Sequence, residues 1–286
     1  MQPSLNGSNK IGIVGMGLIG GSLGLDLQSL GYEVFGVTNK ESTAIRAKER
    51  GLAQVVSTDR AILSNCSVII LALPISQLIE PSEELINALP KQAIITDVGS
   101  VKIPIEQKWQ HIHSRFIPSH PMAGTAKSGI EAGQKQLFSG RPWVTTVSNN
   151  TDRAGLKVIN ELALALGSQW ITVDAKTHDE AVALISHLPL FISAALLKTV
   201  GENTNNSLLS LAKTLASSGF ADTTRVGGGN PKLGVDIATH NTKVLLNALH
   251  DYRHAITRLE DLIQSNQWNE LQKELEQVQE IRPEFL

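Results

Sequence analysis

One cysteine, Cys66, stands among 286 residues, which excludes an intramolecular disulfide and any zinc site built from several cysteines. It precedes the apolar run 68–75, where a buried, inert thiol is expected. Aromatic residues are also few, at 4 Trp, 2 Tyr and 6 Phe. The core must therefore be aliphatic, and a base-stacking nucleic-acid platform is not expected. Charge of one sign is lacking too: a formal net charge of −2 leaves no electrostatic footprint for nucleic acid or an anionic membrane. Charged residues make up 18% and hydrophobic ones 42%, which rules out a disordered polyelectrolyte. No unbroken apolar run approaches the ~20 residues of a membrane span. The polar opening MQPSLNGSNK lacks the apolar stretch of a signal peptide. These absences predict a globular, cytoplasmic chain with no metal centre, no nucleic-acid partner and no membrane partner.

At ~150 residues per domain the length implies about two domains, and the texture changes near residue 173. Before it, short β-rich runs at 10–14, 33–37, 68–73, 93–97, 116–118, 143–147 and 170–173 alternate with helical stretches at 19–29, 43–50, 77–88 and 152–166. The last has Thr151 as candidate N-cap and Gly167 just past its end. Strands alternating with helices predict a parallel sheet covered on both faces. After Asp174 the β signal stops. Residues 178–200 read as one long apolar helix that Pro189 should kink or whose first turn it should reset, and 208–217 as another. From Thr242 onward Leu245, Leu246, Leu249, Ile256, Leu259, Leu262 and Ile263 recur at helical spacing. The expected organisation is an α/β, doubly wound domain over 1–173 followed by an all-helical domain over 174–286. No separate regulatory module is visible after the helices.

Gly15, Gly17 and Gly20 form G-x-G-x-x-G directly after an apolar strand and at the start of a helical run. In such a fingerprint the first glycine permits a tight turn and the second lets backbone approach a pyrophosphate. The third lets helix and strand pack closely, and the helix N-terminus offers free N–H donors to the phosphates. An NAD site usually ends the second strand with Asp or Glu, which binds the ribose 2′-hydroxyl. Here Val37 is followed by Thr38, Asn39 and Lys40, three side chains that can donate to a 2′-phosphate, so NADP is the expected cofactor. Expected cofactor contacts are Gly15, Gly17, Leu18, Ile19, Gly20, Thr38, Asn39, Lys40, Leu73, Pro74 and Ser100.

Two histidine segments stand out. In Ser119-His120-Pro121-Met122-Ala123-Gly124-Thr125, a loop histidine beyond a strand end faces the cofactor crevice. With an ordinary pKa near ~6.5 it could accept a proton at neutral pH. Asp97-Val98-Gly99-Ser100 brings a hydroxyl toward the same crevice. The second segment, Ile185-Ser186-His187-Leu188-Pro189, lies on the apolar helix, where a lone histidine is as readily a satisfied core residue.

Taken in order, GMGLIGGS at 15–22, TDVGSVK at 96–102, SHPMAGT at 119–125, DEAVALISHLP at 179–189 and FADTTRVGGGNP at 220–231 resemble the prephenate/arogenate dehydrogenase family of tyrosine biosynthesis. The resemblance runs from about residue 11 to residue 258, and SHPMAGT and SHLP are its most specific parts. SSGFADTTRVGGGNPKLG and the loop after the second strand point to the NADP-dependent, arogenate-using branch, with prephenate as the alternative substrate. The resemblance implies a Rossmann-type domain followed by a helical substrate and dimerisation domain, hence a homodimer. It implies that His120 takes the proton of the substrate's ring hydroxyl and that Ser100 stands near that hydroxyl and the nicotinamide. Arg225 matches a carboxylate-binding arginine, while Thr125 and His187 line the same pocket. Asp222 either orients Arg225, meets the ammonium of arogenate, or serves only its loop.

Two other readings share the layout. Hydroxyacid dehydrogenases and imine reductases also join a dinucleotide domain to a helical one, and the former use a lysine on the interdomain helix, where Lys198 stands. A non-enzymatic NADP sensor is the third.

Overall fold

The computed structural model describes residues 9–125 and 127–285, so the expectation for the polar N-terminus falls largely outside the described residues. Six parallel strands form the main sheet: β1 (Lys10–Val14), β2 (Glu33–Val37), β3 (Val55–Ser57), β4 (Val68–Leu71), β5 (Ile94–Asp97) and β6 (Phe116–Ile117). They lie in the order β3-β2-β1-β4-β5-β6. The order reverses at β1, so a crevice opens beyond the carboxyl ends of β1 and β4, where doubly wound sheets bind ligands. β4 shows why the sheet reads as an apolar run. Val68 and Ile70 join one core cluster while Ile69 and Leu71 join the other, because successive side chains point to opposite faces. A second sheet holds β7 (Ser119–Pro121), β8 (Pro142–Thr146) and β9 (Gln169–Val173), with β7 antiparallel to β8 and β9 parallel to it.

Helices cover both faces. One cluster takes Leu23 and Leu27 of α1 (Leu18–Ser29) and Val158, Ile159 and Leu162 of α6 (Arg153–Ala165). The other takes Leu78 of α3 (Ile75–Ile79), Leu85 of α4 (Glu83–Ala88), and Ile105 and Trp109 of α5 (Ile103–Trp109). The short α2 (Glu41–Glu49) follows β2. The single helix expected over 77–88 is two, because Pro81 interrupts it and Ser82 caps α4 by accepting from the Leu85 N–H at 3.3 Å. The cap of α6 is Asp152 rather than Thr151. Asp152 accepts from the Ala154 N–H at 3.0 Å and holds Arg115 at 2.8 Å, while Thr151 accepts from the Ser148 N–H. Cys66 is buried as expected, and burial pushes its thiol up to about 11.

The long apolar helix is α7 (Ala175–Val182), a wider π segment (Ala183–His187) and α8 (Leu188–Gly201). Pro189 stands in the first turn of α8, so it resets that turn, as one of the two expectations had it. The extra residue of the π turn absorbs the missing N–H and the ring's clash with the preceding turn. By length and composition alone, Ala175–Gly201 is apolar enough to cross a membrane, although polar residues open it and leave no unbroken apolar run of that length. Three of its polar side chains, His178, Asp179 and His187, are buried. After it come α9 (Asn206–Leu215), α10 (Ser218–Thr224) and α11 (Pro231–His240).

Contacts divide the chain into two compact units, one reaching Asn241 and the other Thr242–Leu286. Residue 173 lies inside the first. The second is the helical hairpin of α12 (Thr242–Gln264) and α13 (Trp268–Ile281), turned at Asn266 (φ 54°) and tied by an Arg258–Glu274 ion pair.

Candidate active site

The glycine turn is built as a phosphate cradle. Gly15 has φ +96°, and a Cβ there would strike the Ala72 carbonyl oxygen, so no other residue fits without strain. A Cβ on Gly20 would collide with the carbonyl oxygen of Gly15, which is the close helix–strand approach. Gly17, in contrast, has open space where its Cβ would be, and it is the N-cap of α1 with no side-chain cap. No acidic residue occupies the first turn of α1. A 12-residue helix therefore presents free N–H groups and its positive end to open space, and the cradle fits a dinucleotide pyrophosphate. Leu18 and Ile19 are half-buried beside it, as is Leu73, while Pro74 is exposed at the head of α3. Beyond β2, Asn39 and Lys40 are exposed and α2 begins at Glu41. Thr38 departs from expectation: it is buried, and its hydroxyl is already spent on the Lys40 carbonyl at 3.1 Å. That leaves Asn39 and Lys40 as the side-chain donors of this loop.

Next to the cradle lies a buried ion pair. Asp97 ends β5 with one carboxylate oxygen on Lys102 Nζ and the Gly99 N–H (2.8 Å) and the other on the Ser119 N–H (3.0 Å). Lys102 Nζ also donates to the Ser119 carbonyl at 2.6 Å. Both ions are fully buried. Burial pulls the Lys102 ammonium down and Asp97 opposes that. The pair thus grips both backbone groups of Ser119, the residue before His120.

His120 sits on β7, paired with Val144 of β8, and not on a loop. Its Nδ1 lies 2.9 Å from His178 Nε2, and His178 Nδ1 lies 2.8 Å from Asp179 Oδ1. Asp179 also accepts the backbone N–H groups of Lys102 (2.7 Å) and Ile103 (2.9 Å) at the start of α5. Asn241 donates to the Asp179 carbonyl at 2.9 Å and lies 3.3 Å from His187 Nδ1. His187 Nε2 and Ser100 Oγ are buried, and neither has a hydrogen-bond partner among the described residues. Buried polar atoms are normally satisfied; Tyr32 Oη, Arg60 Nε, Trp143 Nε1 and Asn160 Oδ1 also lack a partner among the described residues, so this feature alone does not mark a ligand site. The Ser100 backbone is near enough to His187 to favour its charged form slightly, against the burial that dominates.

Electrostatics keep both site histidines neutral. Burial, and after it the repulsion a proton on His120 would meet from a protonated His178, from Lys102 and from a protonated His187, holds His120 well below its ordinary value. Burial lowers His187 to about 4. The ordinary pKa expected for an exposed loop histidine does not apply at His120.

The remaining candidates stand apart from this network. Thr125 is exposed, and its hydroxyl pairs with the backbone of Lys127. Arg225 and Asp222 are exposed at the end of α10. Among the described residues no hydrogen bond or ion pair joins either of them to the other or to His120. Their loop is anchored nonetheless, because the Gly227 N–H donates to Ser193 Oγ of α8 at 2.8 Å. Lys198 is 72% exposed and pairs with Glu202, far from the burial that activates a catalytic lysine. The sequence reading missed Lys102, His178, Asp179 and Asn241. The one available signal was an adjacent His-Asp pair, nine positions before His187. At ~100° per residue a regular helix would set His178 and His187 on opposite faces, and the π turn changes that phase.

A glycine cradle at the switch point of a doubly wound sheet marks a nucleotide-binding domain, and the same compact unit holds the buried His120. Residues 23–172 match the family model described as "Prephenate dehydrogenase, nucleotide-binding domain". Residues 174–277 match "Prephenate dehydrogenase, dimerization domain". The chain belongs to the prephenate/arogenate dehydrogenase family. It is 42% identical to the arogenate dehydrogenase of Synechocystis, whose crystal structure it matches with a TM-score of 0.81 over 97% of this chain and 100% of that one. It matches the prephenate dehydrogenase of A. aeolicus, in complex with hydroxyphenyl propionate and NAD+, at 26% identity and a TM-score of 0.88, covering 97% and 98% of the two chains. A cyclohexadienyl dehydrogenase of Zymomonas mobilis is 29% identical over 95% of this chain and 94% of its own.

Two outcomes follow from this geometry. Gly17→Ala should keep its melting temperature but weaken dinucleotide binding at least ~10-fold by titration calorimetry. Gly20→Ala should instead cost ~1–3 kcal/mol of stability by overpacking, read by denaturant unfolding. The second outcome concerns pH. A histidine whose folded pKa is depressed gives full stability above its unfolded value of ~6.5 and loses it progressively as pH falls from there toward the folded value, where the loss is complete. With His187 at about 4, that residue alone should remove about 2 kcal/mol by a pH of about 5. Calorimetric melting between pH ~7.5 and ~5 checks this.

Proposed function

We propose that the protein carries out the NADP-dependent oxidative decarboxylation of L-arogenate to L-tyrosine. The observation that carries this reading is the buried, neutral His120 in the same compact unit as the glycine cradle. The 42% identity to an arogenate dehydrogenase across nearly the whole chain supports arogenate. The absence of a carboxylate between Val37 and Glu41, with Asn39 and Lys40 exposed, supports NADP.

Arogenate is a cyclohexadienol with a ring carboxylate, a ring hydroxyl and an alanine-like side chain. In this reading the dinucleotide, held by Gly15, Gly17, Gly20, Leu18, Ile19, Leu73, Pro74, Asn39 and Lys40, supplies the acceptor for the hydride. His120 takes the hydroxyl proton as the carbon–hydrogen bond at the same carbon breaks, and loss of CO2 from the ring then gives the aromatic product. Ser100, whose buried hydroxyl has no hydrogen-bond partner among the described residues, would bond the substrate's ring oxygen and border the nicotinamide. Arg225 clamps a carboxylate, which a guanidinium can do bidentately, with Thr125 and His187 lining the pocket. Asp222 orients Arg225 or meets the arogenate ammonium. No metal is needed for these steps.

The division of labour proposed is a dinucleotide domain over 1–173 and a substrate and dimerisation domain over 174–286, in a soluble cytoplasmic homodimer. Leu184, Ile185, Leu208, Leu211 and Leu215 are exposed in the protomer, an apolar surface that a second copy would cover. Prephenate oxidation is the second reading. It is favoured by the resemblance to the prephenate dehydrogenase of A. aeolicus, whose structure contains NAD+.

Initial rates at ~340 nm with each substrate and each dinucleotide test the proposal. Arogenate with NADP+ should give the highest kcat/KM, and no reduction with either substrate would defeat it. His120→Asn should lower kcat ~10²–10⁴-fold with little change in KM, Arg225→Ala should mainly raise KM, and Lys198→Ala should change neither. The acid limb of kcat/KM should lie well below ~6.5, because His120 loses its base form only as pH falls through its depressed pKa. Sedimentation should give twice the 30.8 kDa protomer, and Leu211→Asp should shift it toward monomer.

A further inference from the structure

From the chain of contacts Asp179–His178–His120 we infer that His178 is a positioning residue: it fixes the tautomer of His120 so that the lone pair lies on Nε2, and Asp179 fixes His178 in turn. This rests on the reading of His120 as the base. Asp179 ends the chain of inference because an ionised carboxylate can only accept hydrogen bonds. Its two oxygens already take the Lys102 and Ile103 N–H groups, which leaves the carboxylate no freedom to rotate. The ring nitrogen facing it, His178 Nδ1 at 2.8 Å, must therefore carry hydrogen. In a neutral imidazole the other nitrogen, Nε2, is then an acceptor. His120 Nδ1 faces that acceptor at 2.9 Å and so carries hydrogen itself, which leaves His120 Nε2 bare. The opposite tautomers would set a lone pair against the Asp179 carboxylate.

His178 is spent on this task alone. It is buried, and among the described residues its side chain bonds only Asp179 and His120. Helix capping by Asp179 accounts for two of its three donors but not for the third. In the reaction the substrate O–H bond breaks and an N–H bond forms at His120 Nε2. Neither His178 nor Asp179 gains or loses a proton. The Asp179 charge stabilises the resulting imidazolium through His178, the orienting role that a buried carboxylate plays behind a catalytic histidine.

Two substitutions at position 178 separate orientation from packing. Gln offers a side-chain carbonyl that can accept from His120 Nδ1–H, whereas Phe fills similar volume and accepts nothing. We expect His178→Phe to lower kcat ~10²-fold with KM and dinucleotide affinity within ~2-fold of the parent, and His178→Gln to recover to within ~10-fold. Nitrogen-15 spectra of the imidazoles, with His120 assigned by its loss in His120→Asn, should show the Nδ1–H tautomer in the parent. In a folded His178→Phe they should show a mixture or the Nε2–H form. A parent protein with hydrogen on His120 Nε2 overturns the inference. So does a folded His178→Phe with parental kcat, or equal losses in the two variants. If Phe does not fold, the parent spectrum and the Gln variant still decide. Failure of the parent to oxidise either substrate would overturn the functional reading, while the spectrum would continue to test the tautomer.

Discussion

The site depends on the burial of one ion pair, Asp97–Lys102. Two fully desolvated charges are costly unless geometry and extra hydrogen bonds offset the loss of water. Here the extra bonds are to backbone: Gly99 and both polar groups of Ser119. Those bonds join the end of β5 to the start of β7, which set apart two sheets that share no ladder. Removing either partner would leave an uncompensated charge, a loss of ~3–5 kcal/mol. The same ammonium lies close enough to disfavour protonation of His120. One interaction therefore helps to fix the position of His120 and adds to the burial that keeps it neutral.

Arg225, Asp222 and Thr125 are not held by this interaction. They are exposed and unconnected to it, on elements anchored elsewhere, as at Gly227 on Ser193. The buried half, around His120, is held by hydrogen bonds and an ion pair, while the half that carries Arg225, Asp222 and Thr125 is exposed; under the proposed function the first would preset the base and the second would meet the rest of the substrate.

Much of this was legible in the residue pattern. The glycine turn reads directly because each of its glycines answers a steric demand. The alternation of short apolar runs with helical stretches gave the parallel sheet, since period and length carry that information. What escaped notice depends on tertiary contact. β7 is three residues long and forms a strand only because β8 pairs with it. Lys102 looks like a surface residue until Asp97 is found beside it. His178 and Asp179 appear to open a solvated first turn, and only the approach of α5 makes them buried. Thr38 was read as a free donor because nothing in sequence shows that a neighbouring carbonyl has claimed it.

The π segment before Pro189 amounts to one residue absorbed within a helix instead of in a loop. The helix thereby acquires two registers: residues up to Val182 keep one face inward, and residues from Leu188 onward are rotated relative to them. Regular α winding through Ala183–His187 would be the more stable local geometry, yet it would turn His187 away from its present neighbours. Local helix stability and the placement of His187 therefore oppose each other here, and changes that strengthen this helix in isolation would work against the contact of His187 with Asn241.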